Sequence, residues 1–253
     1  MQSPQYLKKK QNNNNKRPNE KQICDMNKEK PEIKCYQLNF KKSLLASVEF
    51  NKSILKEKRT LCLATEPYIS FNRVGNLGKG LRAFPPGASK PRAAIIYDQT
   101  SGFVGIEKLS SRDCAVGFLR IDNQLTVVAS IYCDITKPMI QDWMNDLINY
   151  ADKGKYPLLI CLDSNAHSTL YGNENNKRGD EFEDFILGHN LEVSNTPGSV
   201  TFETVRGDIR AKSCIDVTLT KGLENLLKNW RVLKTFNASD HNTITFDLQQ
   251  DNW

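Results

Sequence analysis

The sequence predicts an α/β protein in which two β-sheets pack face to face and helices cover their outer surfaces. Three observations predict it. Apolar runs of strand length recur along most of the chain, as in LCLATE, RAAIIYD, CAVGFLRI, LTVVASIYC and LLICLD. Several follow one another closely enough to pair antiparallel, and stretches of helical periodicity separate others. The chain has 253 residues, 39% hydrophobic and 25% charged, enough for one large domain with its own core.

In order along the chain, residues 1–33 hold Lys-rich and Asn-rich stretches (KKKQNNNNKR) and few apolar side chains. Such a segment buries too little surface to offset its ordering entropy, so it is expected to be a disordered basic tail on a domain spanning 34–250. CYQLNF reads as the first strand. Residues 42–57 read as a helix, with Leu44, Leu45, Val48, Ile54 and Leu55 at helical spacing. RTLCLATE is a second strand, and the Gly/Pro/Asn-rich stretch 72–91 a loop. RAAIIYD, CAVGFLRI and LTVVASIYC are three strands, the last two joined at Asp122-Asn123-Gln124 as in a hairpin. A helix is expected from Pro138 to Asp152, with Thr136 as N-cap and Gly154 beyond its end. YPLLICLD is a buried strand and 178–190 a helix; SVTFETV, SCIDVTLT, WRVLKTF and HNTITFDL are further strands.

Composition narrows the function. No run of about 18 apolar residues predicts a membrane-spanning helix, and MQSPQYLKKK lacks the apolar region of a secretory signal. The seven cysteines are odd in number, and several sit inside apolar runs, as Cys62 and Cys161 do. That pattern fits a reducing, intracellular compartment better than a disulfide framework, and no Cys/His spacing suits zinc. The net charge is +6, of which residues 1–34 carry +5. A basic tail on a nearly neutral domain is either a solvated terminus or a contact for a polyanion.

Four places put metal-capable polar residues at the ends of apolar strands, where a side chain is held rigidly while the loop opens to solvent. They are Asn39 ending CYQLNF, Glu66 ending LCLATE, Asp163 with Asn165 in LLICLDSNAHS, and Ser239-Asp240-His241 entering the last strand. Asp216 in SCIDVTLT lies within a strand, where a charge is costly unless paired. Each has a plain structural reading on its own: a turn-forming Asn, a solvated Glu before Pro67, an Asx turn, a capping Asp, a core histidine.

Their joint order is more specific. Asn, Glu, Tyr, Asp-x-Asn, Asp and Ser-Asp-His, each in strand context, resemble the endonuclease/exonuclease/phosphatase superfamily that includes DNase I and the AP endonucleases. LDSNAHSTLYG, RGDEFEDFILGHNLEVSN, TFE, SCIDVTLT and SDHNTITF narrow this to the endonuclease domain of LINE-type (non-LTR) retrotransposons, over residues 34–248. The resemblance implies a four-layer α/β/β/α sandwich, DNase I-like, and Mg²⁺- or Mn²⁺-dependent nicking of one DNA strand. Carried over residue by residue, it implies metal binding by Glu66, with Asn39 and Asp240 beside it. Asp163 would activate or orient the attacking water and Asn165 would hold a non-bridging phosphate oxygen. His241, oriented by Asp216, and Tyr132 would contact the scissile phosphate. His167 and Ser168 would touch DNA or brace their loop, Arg178 would pair with a phosphate or a carboxylate, and Thr201 would lie on a DNA-facing strand.

The chemistry stands beside the resemblance: a hard cation on oxygen ligands offsets phosphate charge, a carboxylate takes a proton, and a protonated imidazole stabilises an oxyanion. The expected partners are DNA and, in a larger element, a reverse transcriptase domain or element RNA. The domain is expected to be monomeric, without a membrane partner, and to act in the nucleus. Tyr132 is followed by Cys133-Asp134 where the family often has proline, and Tyr171 stands where relatives often have Trp. These departures concern the DNA-reading surface more than the chemistry. The alternative functions are a small-phosphoester phosphatase of the same superfamily and an inactive nucleic-acid binder.

Overall fold

A computed structural model describes residues 32–85, 90–121, 124–233 and 238–249. In chain order the elements are β1 (Ile33–Asn39), α1 (Leu44–Ser53), β2 (Thr60–Thr65), β3 (Ile69–Ser70), β4 (Arg73–Val74), β5 (Leu81–Phe84), β6 (Ala93–Asp98) and β7 (Phe103–Gly105). There follow β8 (Cys114–Ile121), β9 (Gln124–Tyr132), α2 (Asp142–Gly154), β10 (Leu158–Asp163), α3 (Lys177–Gly188) and β11 (Glu192–Val193). The last are β12 (Phe202–Arg206), β13 (Ile209–Ser213), β14 (Asp216–Lys221), β15 (Leu227–Leu233) and β16 (Thr243–Leu248).

Two six-stranded sheets form, ordered β15-β16-β1-β2-β6-β5 and β11-β14-β10-β9-β8-β7. Both are mixed: β1 runs parallel to β2 and β9 parallel to β10, while their other neighbours are antiparallel. Side-chain alternation builds the layers. In β1, Ile33 and Cys35 enter a core shared by both sheets, whereas Tyr36 and Leu38 pack outward with Ala46 and Phe50 of α1. In β10, Leu159 and Cys161 face that shared core, whereas Leu158, Ile160 and Leu162 pack outward with Met144, Leu147 and Ile148 of α2 and Phe182 and Phe185 of α3. The four layers expected from the resemblance are therefore present, with α1 on one side and α2 and α3 on the other.

Polar staples join the sheets near one end. Gln37 of β1 donates from Nε2 to the carbonyls of Leu162 and Val217, both at 3.2 Å, and its Oε1 accepts from Thr218 Oγ1 at 2.8 Å. Ser130 Oγ donates to the Ala64 carbonyl at 2.9 Å. Their hydrogen bonds satisfy buried polar groups between two apolar sheets and set the sheets in one register.

Several sequence-based boundaries move. The first helix spans Leu44–Ser53, capped by Ser43, whose Oγ accepts from Ala46 N at 3.1 Å. The second begins at Asp142, not Pro138, and Thr136 does not cap it. Thr136 instead donates its N–H and Oγ1 to Asp134 Oδ1 at 2.9 and 2.8 Å, an Asx-type turn that delays the helix. The third starts at Lys177 with Asn176 as cap. The stretch 72–91 holds β4 and β5, the latter an edge strand of the first sheet. SVTFETV is a strand only from Phe202, and it pairs with β13 as a separate ribbon. The short strands β3, β7, β11 and β13 carry no apolar run that marks them in the sequence.

Ile33 opens β1, so the fold begins one residue before the expected boundary at 34. The tail at 1–31 and the turn residues Asp122 and Asn123 lie outside the described residues, although Ile121 and Gln124 pair across that turn. Cys35, Cys62, Cys114, Cys133, Cys161 and Cys214 are buried free thiols. Among the described residues no helix is long and apolar enough to cross a membrane.

Candidate active site

The site forms where the inward faces of both sheets run out of apolar residues. Asn39 continues the inward series of Ile33, Cys35 and Gln37, and Asp163 continues that of Leu159 and Cys161. Register then sets the neighbours. Asp163 lies beside Tyr132 on one flank and Asp216 on the other. Asn39 lies beside Thr65, the residue before Glu66. Asn39 Nδ2 donates to Asp163 Oδ2 at 2.8 Å and so links the two sheets at this end.

Asp163 and Asp216 are each 2% exposed, and His241 is buried against Asp216, with Nδ1 at 2.8 Å from Asp216 Oδ2. Burial, then the adjacent charge of Asp216, raises the Asp163 carboxyl to about 7, against the pull of His241 and the Asn39 hydrogen bond. Burial opposes protonation of His241, but the charge and hydrogen bond of Asp216, with Asp163 and Asp240 nearby, outweigh it and lift the imidazole to about 9. The charge on Asp216 is thus offset by a protonated ring, which explains how a carboxylate is tolerated inside β14. Phe202 packs its ring on His241 at 4.9 Å between centroids, and a β-bridge joins the two backbones.

Further carboxylates lie near enough for their charge to act on this cluster, Glu66 on Asp163 and Asp240 on His241. Ligand atoms of Asp163, Asp216 and His241 lie within 4.8 Å of one another, close enough to share an ion. His241 and Asp216 are, however, already joined by their 2.8 Å hydrogen bond, so other oxygens are better placed to take a cation. Glu66 and Asp240 carry partly exposed carboxylates paired with Lys42 at 2.7 Å and Lys41 at 2.8 Å. Both lysines are more than half exposed, and such surface pairs are readily displaced. Among the described residues, Asp163 Oδ1 is buried without a hydrogen-bond partner. That oxygen is left to accept a proton, while the partly exposed Glu66 and Asp240 carboxylates are hard oxygen donors of the kind a divalent cation takes.

Tyr132 sits beneath a residue the sequence reading did not single out. The Arg92 guanidinium lies 4.8 Å from the Tyr132 ring centroid. It grips Asp113 through Nε and an Nη at 2.5 Å each and Asp134 through the other Nη at 2.7 Å. Burial, then the charges of Glu66 and Asp163, raises the Tyr132 hydroxyl to about 12, so it remains a donor. Nothing in the local sequence marks Arg92, because its partners lie 21 and 42 residues away.

The residues assigned to substrate contact divide differently. Asn165 holds a left-handed backbone (φ 48°) and donates from Nδ2 to the Cys133 carbonyl at 3.1 Å, which fixes its amide beside Tyr132. Arg178 is a brace: its guanidinium donates to the carbonyls of Ser164, Lys137 and Asp134 at 3.1, 2.7 and 3.2 Å. Ser168 is fully buried; its Oγ donates to Glu183 and accepts from Leu170 N at 3.0 Å, closing the loop after β10. His167 is only partly exposed, and its carbonyl presses so closely on α3 that a Cβ on Gly179 would lie 1.6 Å from it. Gly172 in the same loop needs its positive φ of 97° and abuts Gly198.

Thr201 does not face outward as expected: it is fully buried, and its Oγ1 accepts from the backbone N–H groups of Ile215 and Asp216 at 3.0 Å each. It therefore positions the start of β14. Thr201→Val leaves two buried N–H groups unpaired and is expected to cost about 2–4 kcal/mol in urea unfolding. Arg178→Ala strips three loop carbonyls of a charged donor and is expected to cost about 1–3 kcal/mol in the same measurement. An unchanged unfolding midpoint in either variant would remove the corresponding bracing role.

Proteins that share this fold include endonucleases and a phosphatase. Residues 126–245 match the family described as endonuclease-reverse transcriptase. Over 227 residues the chain is 24% identical to the putative 115 kDa protein in type-1 retrotransposable element R1DM of Drosophila melanogaster, covering 83% of this chain and 21% of that protein. The chain thus spans about a fifth of that relative's length. The solved endonuclease domain of TRAS1, a telomere-specific non-LTR retrotransposon, is similar with a TM-score of 0.74 and 24% identity, covering 87% of this chain and 100% of that one. The AP endonuclease LMAP from Leishmania major is similar with a TM-score of 0.67 and 11% identity, covering 87% of this chain and 88% of that one. The structural likenesses show the DNase I-like fold.

Proposed function

We propose that this chain nicks one strand of DNA by hydrolysing a phosphodiester bond; the match of residues 126–245 to the endonuclease-reverse transcriptase family and the DNase I-like fold support the reading. The observation that carries the reading is the junction of the sheets. There an oriented carboxylate (Asn39–Asp163) and a carboxylate-paired imidazole (Asp216–His241) meet at the strand ends.

Glu66, with Asn39 and Asp240, would hold a divalent cation, Mg²⁺ or Mn²⁺, which when bound would supply positive charge to offset the anionic phosphate. The Asn39 amide holds one oxygen of Asp163, and the other accepts a proton from the attacking water. His241, kept protonated by Asp216, donates from Nε2 to a phosphate oxygen as charge builds there. Tyr132 donates its hydroxyl to the same phosphate, under the ring contact of Arg92. Asn165 spends one amide hydrogen on Cys133 and offers the other to a non-bridging oxygen. Water adds to phosphorus, the bond to the 3′-oxygen breaks, and the products are a 5′-phosphate and a 3′-hydroxyl.

In a complete element that 3′-hydroxyl would prime reverse transcription, with a reverse transcriptase domain or element RNA as partner and the nucleus as the place of action. The test is relaxation of supercoiled plasmid by the purified chain with Mg²⁺ and with EDTA. Open circles that form only with metal are expected. Intact plasmid, with phosphate released from small phosphomonoesters, would replace the nuclease reading with a phosphatase.

A further inference from the structure

A two-residue hairpin follows Glu66 closely. Ile69 pairs with Val74 and Ser70 with Arg73, leaving Phe71 and Asn72 as the turn. Both turn residues have positive φ, 49° and 62°, as a tight primed hairpin turn demands. Asn suits that backbone, whereas a bulky aromatic there is strained. Phe71 is nonetheless 98% exposed, the most exposed of the large hydrophobic side chains among the described residues. Packing therefore does not account for phenylalanine at this position.

The hairpin is also held firmly. Gly75 N donates to the Tyr68 carbonyl at 2.8 Å, and Asn51 of α1 ties down the segment that follows, donating to the Asn76 carbonyl at 2.6 Å and accepting from Gly78 N at 3.1 Å. The ring is thus presented on a braced arm, within five residues of Glu66 and so no more than about 17 Å of chain from it. Arg73, exposed beside it, adds a cation suited to a phosphate.

We infer that Phe71 is a stacking wedge that inserts against a base step of the duplex beside the cut phosphodiester, with Arg73 on the adjacent backbone. The inference rests on the DNA-nicking reading above. A flat apolar ring gains by stacking on any base, and insertion is least costly at flexible pyrimidine–purine steps. The wedge therefore supplies both affinity for duplex DNA and a preference among base steps, with no hydrogen bond to a base.

The test compares the full chain with Phe71→Ala and Phe71→Trp in Mg²⁺-dependent nicking of supercoiled plasmid, measuring KM, kcat and the positions of the nicks. Loss of one stacking contact is expected to raise KM about 5- to 150-fold with kcat nearly unchanged. It is also expected to flatten the preference for particular base steps, and Phe71→Trp should restore both. If the wild type nicks plasmid and Phe71→Ala matches it in KM and nick positions, the wedge is overturned while the nuclease reading stands. A loss that Phe71→Trp fails to restore also overturns it. If the wild type nicks no DNA, both readings fall together.

Discussion

Asp163→Ala is expected to lower plasmid nicking by about 10²- to 10⁴-fold, the range for removal of a positioned general base. The carboxyl is raised to about 7, by burial first and Asp216 second, so it can take a proton near neutral pH and release it again. Activity of the wild type should therefore climb as pH rises through about 7. Stability moves the other way. The folded value lies above the ordinary carboxylate value of 3.8, so the carboxyl's contribution to folding is complete below that pH and is lost as pH rises through about 7. In EDTA, the melting temperature of Asp163→Ala should gain on that of the wild type between acid and mildly alkaline pH. Near-wild-type nicking would sink the assignment of Asp163, and a constant difference in melting temperature would sink the account of its burial.

His241→Ala should lower nicking by about 10²- to 10³-fold, the usual effect of losing one oxyanion donor. Asp216→Asn should act on the same donor through its proton. Burial alone would depress the imidazole, and it is the carboxylate of Asp216, helped by Asp163 and Asp240, that lifts it to about 9. The ring is active when protonated, so wild-type activity should fall as pH rises through about 9. With the carboxylate neutralised, that alkaline limb should move to lower pH. The same pair stabilises the fold: its contribution is complete below the ordinary imidazole value of 6.5 and is lost as pH rises through about 9. An alkaline limb at the same pH in Asp216→Asn and wild type would separate the two residues functionally, whatever their 2.8 Å contact.

The sheets could be read from the sequence because alternation is a local property. Each strand carries its own inward and outward faces, and a polar residue that extends the inward series, as Asn39 and Asp163 do, announces a site. Asp216 was legible for a related reason, since a charge inside a strand requires a partner. The helix after β9 was misplaced because Asp134, not Thr136, governs the local hydrogen bonds and postpones the start to Asp142.

The chain's own pattern thus determined the class of fold, the strand ends that carry acidic and amide groups, and through its resemblance the set of side chains at the site. Only the tertiary structure decided what several of them do. Thr201 and Ser168 are buried and satisfy backbone and loop groups, Arg178 holds three carbonyls, and Arg92 braces Tyr132 from the bend before β6. The reason is physical. Alternation along a strand depends on neighbours one and two residues away, whereas the partners of a long polar side chain depend on which segments the finished fold brings within about 3 Å of it.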